Sequence, residues 1–195
     1  DHVIIVTGAS EGIGRALCLA LAPQKPKLVL AARSEGRLNE LKDEVASMGA
    51  TALVVPTDVS EEDQCRMLIH KTLDGFGSLD VLVNNAGMTM WTPLDSLSDA
   101  SVIARLMRVN YFSAAWCTYY ALPYLTQRKG RIVAVSSVAG LNGVPTRKAY
   151  SASKHAMFGF FDSLRIELMD TGVAVTLGAP GYVLSEIHRR AICSH

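Results

Sequence analysis

Apolar residues along this chain fall into two kinds of run. Six are short and continuous: Val3 to Val6, Leu28 to Ala32, Ala52 to Val55, Leu79 to Val83, Arg131 to Val135 and Val173 to Leu177. A strand with one wet face alternates apolar and polar residues, whereas a strand buried on both faces reads as an unbroken run, so these predict a parallel sheet covered by helices on each side. Between them apolar residues recur at helical spacing. Leu38, Leu41, Val45 and Met48 share one face, Cys65, Leu68, Ile69 and Leu73 another, and Met157, Phe160, Phe161, Leu164 and Leu168 a third. Gly49 suits a helix C-terminal cap, and Ser60 with Asp63 three residues on resembles a capping box opening the next helix. Two long helical stretches surround Val109 to Phe112. Strand and helix alternate throughout, which with right-handed crossovers predicts an α/β fold, a doubly wound parallel sheet in a single domain over residues 1–195. No internal repeat, low-complexity segment or linker interrupts it.

Composition narrows the function. With 195 residues, 49% hydrophobic and 19% charged, the chain suits one soluble domain with a sizeable core. Its net charge of +1 comes from 19 basic and 18 acidic residues scattered along the sequence, which argues against a nucleic acid or an anionic membrane as partner and for a small molecule. Cys18, Cys65, Cys117 and Cys193 are widely spaced and form no C-x-x-C pair, so neither a metal site nor a redox dithiol is expected, and a reducing, cytoplasmic setting fits. No apolar run approaches the roughly 18 residues of a membrane span, and no signal peptide is in view.

The first strand runs into Thr7-Gly8-Ala9-Ser10-Glu11-Gly12-Ile13-Gly14 and directly into a helix. Such a turn cradles phosphate: Gly8 permits the sharp turn, Gly12 the approach of an anion to the backbone, and Gly14 the close seating of the helix on the strand. The first-turn amides and the positive end of the helix dipole then face the ligand. The spacing is G-x-x-x-G-x-G, not G-x-G-x-x-G. The same residues fit a second pattern, the G-x-S-x-G elbow of α/β-hydrolases, with Ser10 as nucleophile and Asp170 and His188 following in the right order. That elbow needs an oxyanion loop from earlier strands, and only seven residues precede Gly8.

Further candidates stand where strands end. Arg33 lies about twenty residues past the glycine turn, where an NAD site carries an acid on the ribose 2′-hydroxyl; an arginine there suits a 2′-phosphate and so NADP(H). Arg33 equally suits the start of a solvated helix, and Glu11 in the turn would repel an extra phosphate. Asp58 can accept from an adenine amino group while Val59 packs on the ring, or Asp58 can merely start the next helix. Asn84-Asn85-Ala86-Gly87 lets backbone lie against a cofactor and gives amides that tie loops together. After the fifth strand Ser136 and Ser137 face opposite ways, so only one looks into a cleft. Tyr150 and Lys154, at i and i+4, share a helix face.

In order, Thr7-Gly8-x-x-x-Gly12-x-Gly14, Asn84-Asn85-Ala86-Gly87, Asn110, Ser137, Tyr150-x-x-x-Lys154 and Pro180-Gly181 resemble the motifs of the short-chain dehydrogenase/reductase family, from Val3 to about Ser185. The resemblance is nearest to hydroxysteroid-type and lipid-type members of the non-extended branch. It implies a Rossmann fold and hydride transfer between NADP(H), with NAD the less favoured cofactor, and a carbonyl or secondary alcohol. The family's serine stands thirteen residues before its tyrosine, which selects Ser137 over Ser136. By position, Asn110, Ser137, Tyr150 and Lys154 match its catalytic tetrad, with Tyr150 as acid, Lys154 also on the nicotinamide ribose and Asn110 holding a proton-relaying water. A free phenol titrates near 10, and a cation beside it favours the phenolate. The resemblance places Gly8, Ser10, Gly12, Ile13, Gly14, Arg33, Asp58, Val59, Asn84, Ala86, Gly87, Tyr150, Lys154, Pro180, Gly181 and Val183 at the cofactor. Ser185 stands for the family's threonine. Relatives add a strand and a helix after this point, and the chain looks to lack them.

Met88, Met90 and Trp91 in one loop and Leu141, Val144 and Pro145 in another are expected to rim a cleft for an apolar substrate. Tyr111 to Leu125 and Ala156 to Phe161 offer apolar surface for a homodimer or homotetramer. Alternatives are a 3-oxoacyl thioester reductase, a non-catalytic dinucleotide-binding scaffold and the serine hydrolase.

Overall fold

A computed structural model describes residues 2–183, 187 and 191–193. Ser185 and His188, singled out from the sequence, lie outside the described residues. In chain order the elements are β1 (Val3–Thr7), α1 (Gly12–Leu21), β2 (Lys27–Ala32), α2 (Glu35–Ser47), β3 (Thr51–Pro56), α3 (Glu62–Phe76), β4 (Val81–Asn84), β5 (Met90–Trp91), α4 (Ser101–Met107), α5 (Ser113–Arg128), β6 (Arg131–Val135), α6 (Lys148–Glu167), β7 (Ala174–Gly178) and β8 (Ile192–Cys193). Six strands form one sheet in the order β3-β2-β1-β4-β6-β7, with every pairing parallel. This is the doubly wound Rossmann arrangement.

Burial on both faces explains the unbroken apolar runs. In β1, Val3 and Ile5 point into a core shared with Leu68 of α3, Cys117 of α5 and Phe161 of α6, whereas Ile4 and Val6 point into a second core with Cys18, Leu38 and Leu41. Adjacent strand residues face opposite ways, so a two-sided strand has no position left for a polar side chain.

Helix ends follow the sequence in one case and depart from it in another. Gly49, at φ +98°, donates its N–H to the Ala46 carbonyl and closes α2. The capping box at Ser60 does not form, because the Ser60 hydroxyl donates to Asp58 Oδ1 at 2.7 Å, Asp63 pairs with Arg66 at 2.8 Å, and α3 starts one residue later, after Glu61. Asp58 competes for the serine with a tight local turn. The two helical stretches around Val109 are one helix: α4 passes into α5 through a π-helical turn at Arg108–Phe112, which carries Asn110 into the interior.

At the amino edge of the sheet, Asp80 is 5% exposed and accepts from the Val3 amide and from Arg128 Nε, each at 2.8 Å. Burial works against its ionisation, but these two donors prevail and hold its carboxyl below the usual range. At the opposite edge the chain leaves β1 toward β2 on one side, and β4 begins the strands on the other. Strand order reverses between β1 and β4, which opens a crevice at their carboxyl ends. Among the described residues, no helix is long and apolar enough to cross a membrane.

Candidate active site

The crevice is built on a knot between the ends of β1 and β4. Thr7 Oγ1 receives the amides of Asn85 and Ala86 at 3.0 and 3.1 Å, and Asn85 Nδ2 donates to the carbonyls of Thr7 and Gly8 at 2.8 and 3.3 Å. Contacts this close leave no room for side chains at two glycines. A Cβ on Gly8, at φ +67°, would lie 2.9 Å from Ala86 Cα, and one on Gly14 would run into the Gly8 carbonyl oxygen and lie 2.6 Å from Asn85 Nδ2. The glycines are therefore needed first for the fit of turn, helix and strand. The amino terminus of α1 has no side-chain cap, so its first-turn donors are left for an anion.

Two adjacent spaces flank the turn. An outer groove of about 810 Å³ is bordered by Gly8, Ser10, Arg33, Asp58, Val59, Ala86 and Gly87. An inner cavity of about 160 Å³ is bordered by Gly12, Ile13, Ser137, Tyr150, Lys154, Pro180, Gly181 and Val183. Glu11 and Asn85 border both, so the two spaces share a wall at the glycine-rich turn. Uncapped helix donors, a turn in close backbone contact and a groove beside a cavity with titratable groups together fit an extended dinucleotide.

Of the residues assigned from the sequence to catalysis or to the cofactor, three do not reach either space. Gly14 is buried beneath the turn. Asn84 points the other way, donating to Thr118 Oγ1 of α5 at 3.0 Å. Asn110 is fully buried: its Oδ1 accepts from the Met88 amide at 2.8 Å, and its Nδ2 donates to the Met88 carbonyl at 3.0 Å and to Ser153 Oγ at 2.9 Å. Its side chain staples the loop after β4 to α6. Of the six residues expected to rim a substrate cleft, Val144 borders the cavity and Met88 the groove, whereas Trp91, Leu141 and Pro145 border neither, and Met90 is fully buried with Leu106, Ala149 and Tyr150, where its strand β5 pairs with β8. Asp58 borders the groove but its Oδ1 receives both the amide and the hydroxyl of Ser60.

Both serines border the cavity, just past the end of β6, but their hydroxyls differ. Ser136 donates its hydroxyl to the Lys154 carbonyl at 3.1 Å, whereas Ser137 Oγ accepts from the Ala139 amide at 3.2 Å and keeps its own hydrogen for the cavity. Tyr150 is 8% exposed and Lys154 4%. The lysine Nζ sits 5.9 Å from the Tyr150 ring centroid and donates to the Val135 carbonyl at 2.8 Å, which ties the helix face to the end of β6. Burial lowers the lysine's pKa to about 8.

Asn85 carries the knot as an amide tying two loops, the role expected of its tetrapeptide. Two features were not foreseen in the sequence. Arg37 of α2 bridges to Glu11 at 2.8 Å, so the carboxylate in the glycine-rich turn has a cation beside it. Arg147 lines the inner cavity, and its place three residues before Tyr150 was the available signal. The hydrolase reading loses its acid. Asp170 precedes β7 and Ser10 follows β1, and in an all-parallel sheet those positions lie at opposite edges.

The sequence profile of the short chain dehydrogenase family matches residues 2–192, and the chain belongs to that family. It is 40% identical over 186 residues to 11-beta-hydroxysteroid dehydrogenase 1A of Arabidopsis thaliana, which covers 95% of this chain and 53% of that protein. The chain thus spans about half the length of the curated relatives it matches. Among solved structures it resembles an alcohol dehydrogenase from Thermococcus sibiricus complexed with 5-hydroxy-NADP, at TM-score 0.92 and 27% identity, covering 98% of this chain and 80% of that one. It also resembles a short chain dehydrogenase/reductase from Burkholderia phymatum in complex with NAD, at TM-score 0.92 and 33% identity, covering 97% and 68%.

The buried lysine makes stability depend on pH. Its folded pKa of about 8 lies below the ordinary lysine value of 10.5, so between these values the unfolded chain binds the extra proton and folding is favoured as pH rises. Relative to Lys154→Met, the wild-type protein should gain on the order of 3 kcal/mol across that window. Parallel melting curves for the two proteins from pH 7.5 to 10 would contradict this.

Proposed function

We propose that the protein is an NADP(H)-dependent oxidoreductase interconverting a carbonyl and a secondary alcohol on a largely apolar substrate, with residues 1–195 as one dinucleotide-binding domain. The observation that carries this reading is the convergence of Ser137, Tyr150 and Lys154 on one cavity that meets the phosphate turn. A scaffold that only binds a dinucleotide has no need of a buried cation beside a cavity-lining phenol. Curated relatives named hydroxysteroid dehydrogenases support an apolar alcohol or ketone as substrate.

Gly8, Ser10, Gly12, Ile13, Ala86 and Gly87 would hold the phosphates and riboses by backbone, Asp58 and Val59 the adenine, and Pro180, Gly181 and Val183 the nicotinamide side. When bound, the cofactor supplies or accepts the hydride. The chain's own part is the proton. Ser137 donates its hydroxyl hydrogen to the substrate oxygen and fixes its position. Tyr150 gives that oxygen a proton as negative charge builds on it, and takes one back in the direction of oxidation. The Lys154 cation stabilises the phenolate left behind, and its bond to the Val135 carbonyl keeps it in place. Asn110 acts as a positioning residue, holding the Met88 backbone against the helix that carries both groups.

Solved relatives hold an NADP derivative in one case and NAD in another, so the preference rests on this chain's own charges. Arg33 borders the outer groove, and Arg37 offsets Glu11. Both favour a 2′-phosphate. Aromatic and apolar side chains left exposed on the π turn and α5, including Phe112 at 41% and Tyr119 at 72%, support a homodimer or larger assembly.

Three outcomes follow. Tyr150→Phe should lose more than about a hundredfold in kcat with NADPH affinity nearly intact, as expected for removal of a general acid; a variant keeping a tenth of the wild-type rate would show that another group supplies the proton. Arg33→Ala should weaken NADPH about ten- to a hundredfold and NADH little, since a charge-assisted bond to phosphate is worth about 1.5 to 3 kcal/mol. Equal losses by titration would make Arg33 structural. Light scattering at micromolar concentration should give at least twice the monomer mass, and a monomer would remove the assembly from this account.

A further inference from the structure

Arg147 is a charged side chain only 7% exposed, at the residue preceding α6 and on the wall of the inner cavity. Its guanidinium carbon lies 4.2 Å from the Trp91 ring centroid and 5.4 Å from that of Tyr182, and Nη2 donates to the Tyr182 hydroxyl at 3.2 Å. Trp91 comes from β5 in the loop after β4, and Tyr182 from the segment after β7. Three stretches remote in sequence are thus gathered on one planar cation, three residues before the phenol that borders the same cavity. The two rings remain 44% and 77% exposed, so neither is there to fill the core.

We propose that Arg147 is a positioning residue for the substrate: backed by Trp91, which stands outside the cavity lining, its guanidinium fixes Tyr182, the ring on the cavity wall against which the apolar part of the substrate packs. The proposal rests on the reading of the cavity as the substrate site. Its physical basis is pre-organisation. A solvent-facing aromatic side chain on a loop loses rotamer freedom when a ligand packs on it, and a ring already stacked on a fixed guanidinium has lost that freedom beforehand. The gain appears in binding and not in the proton transfer, so it belongs to KM. Lysine supplies the charge without the planar face and does not replace arginine fully.

The test uses the whole chain with NADPH and trans-2-decalone, an apolar ketone. Arg147→Met should raise KM about tenfold, the equivalent of one lost stacking contact of moderate strength, with kcat within about threefold and NADPH affinity unchanged. Arg147→Lys should fall between. Tyr182→Leu alters an exposed ring and leaves the core intact, so it remains informative if Arg147→Met folds poorly; it should raise KM similarly. The Arg147→Met/Tyr182→Leu double variant should be little worse than either single one, because the two residues act as one unit. Unchanged KM in Tyr182→Leu, additive effects in the double variant, or a fall in kcat or NADPH affinity alongside KM would overturn the proposal.

A binding readout separates this from the catalytic assignment. Trp91 and Trp116 are the two tryptophans, so Trp116→Phe leaves Trp91 as sole reporter. In that background decalone should change Trp91 emission with or without Tyr150→Phe, and Arg147→Met should weaken the titration about tenfold. If Tyr150→Phe proves active, the acid is misassigned while this titration still decides the role of Arg147. An Arg147→Met protein that binds decalone as tightly as the Trp116→Phe background, by this titration or by calorimetry, would overturn it.

Discussion

The rest of the site depends on the close seating of the phosphate turn against the end of β4. Asn85 donates from its backbone and its side chain to Thr7 across the point where the strand order reverses, and Gly8 and Gly14 lack side chains because the Ala86 backbone, the Asn85 amide and the Gly8 carbonyl already occupy that space. This contact sets the direction in which α1 leaves the sheet, and with it the direction of its uncapped amides. It also leaves Glu11 and Asn85 on the wall between groove and cavity. A side chain at Gly14 would push the helix off the strand and move the turn away from the cavity wall.

Cations around the crevice are supported in different ways, and the differences track their proposed work. Lys154 is buried, bonded to a backbone carbonyl and shifted toward neutrality by desolvation, so its charge weakens within the range where enzymes operate. Arg147 is held by ring faces and by the Tyr182 hydroxyl. Arg37 is held by a carboxylate of the phosphate turn, and Arg33 stands exposed on the groove. Among these cations the lysine is the one whose proton can leave near neutrality, and guanidinium groups line the places where a constant charge is useful.

The sheet was legible in the sequence because two-sided burial removes every polar position from a strand, and Val3 to Val6 or Leu28 to Ala32 admit no other economical reading. Tyr150 and Lys154 were legible because i and i+4 share a helix face whatever the surroundings. Met90 was not, since an apolar loop residue looks the same whether it faces a cleft or a core, and here it fills the space beside Leu106. Ser60 lost its capping role to Asp58, two residues away, a competition decided by fractions of the usual hydrogen-bond energy. The π turn that buries Asn110 has no composition signal at all, and the pairing of Glu11 with Arg37 depends on how far α1 and α2 stand apart.

Direct transfer of hydrogen between cofactor and substrate in this cavity is the central claim, and isotope transfer tests it most directly. With NADPH carrying deuterium at the transferable C4 position and a panel of apolar ketones, mass spectrometry should find one deuterium on the carbinol carbon of the product alcohol. Oxidation of NADPH without deuterium in the alcohol, or no oxidation with any ketone of the panel, would contradict the account.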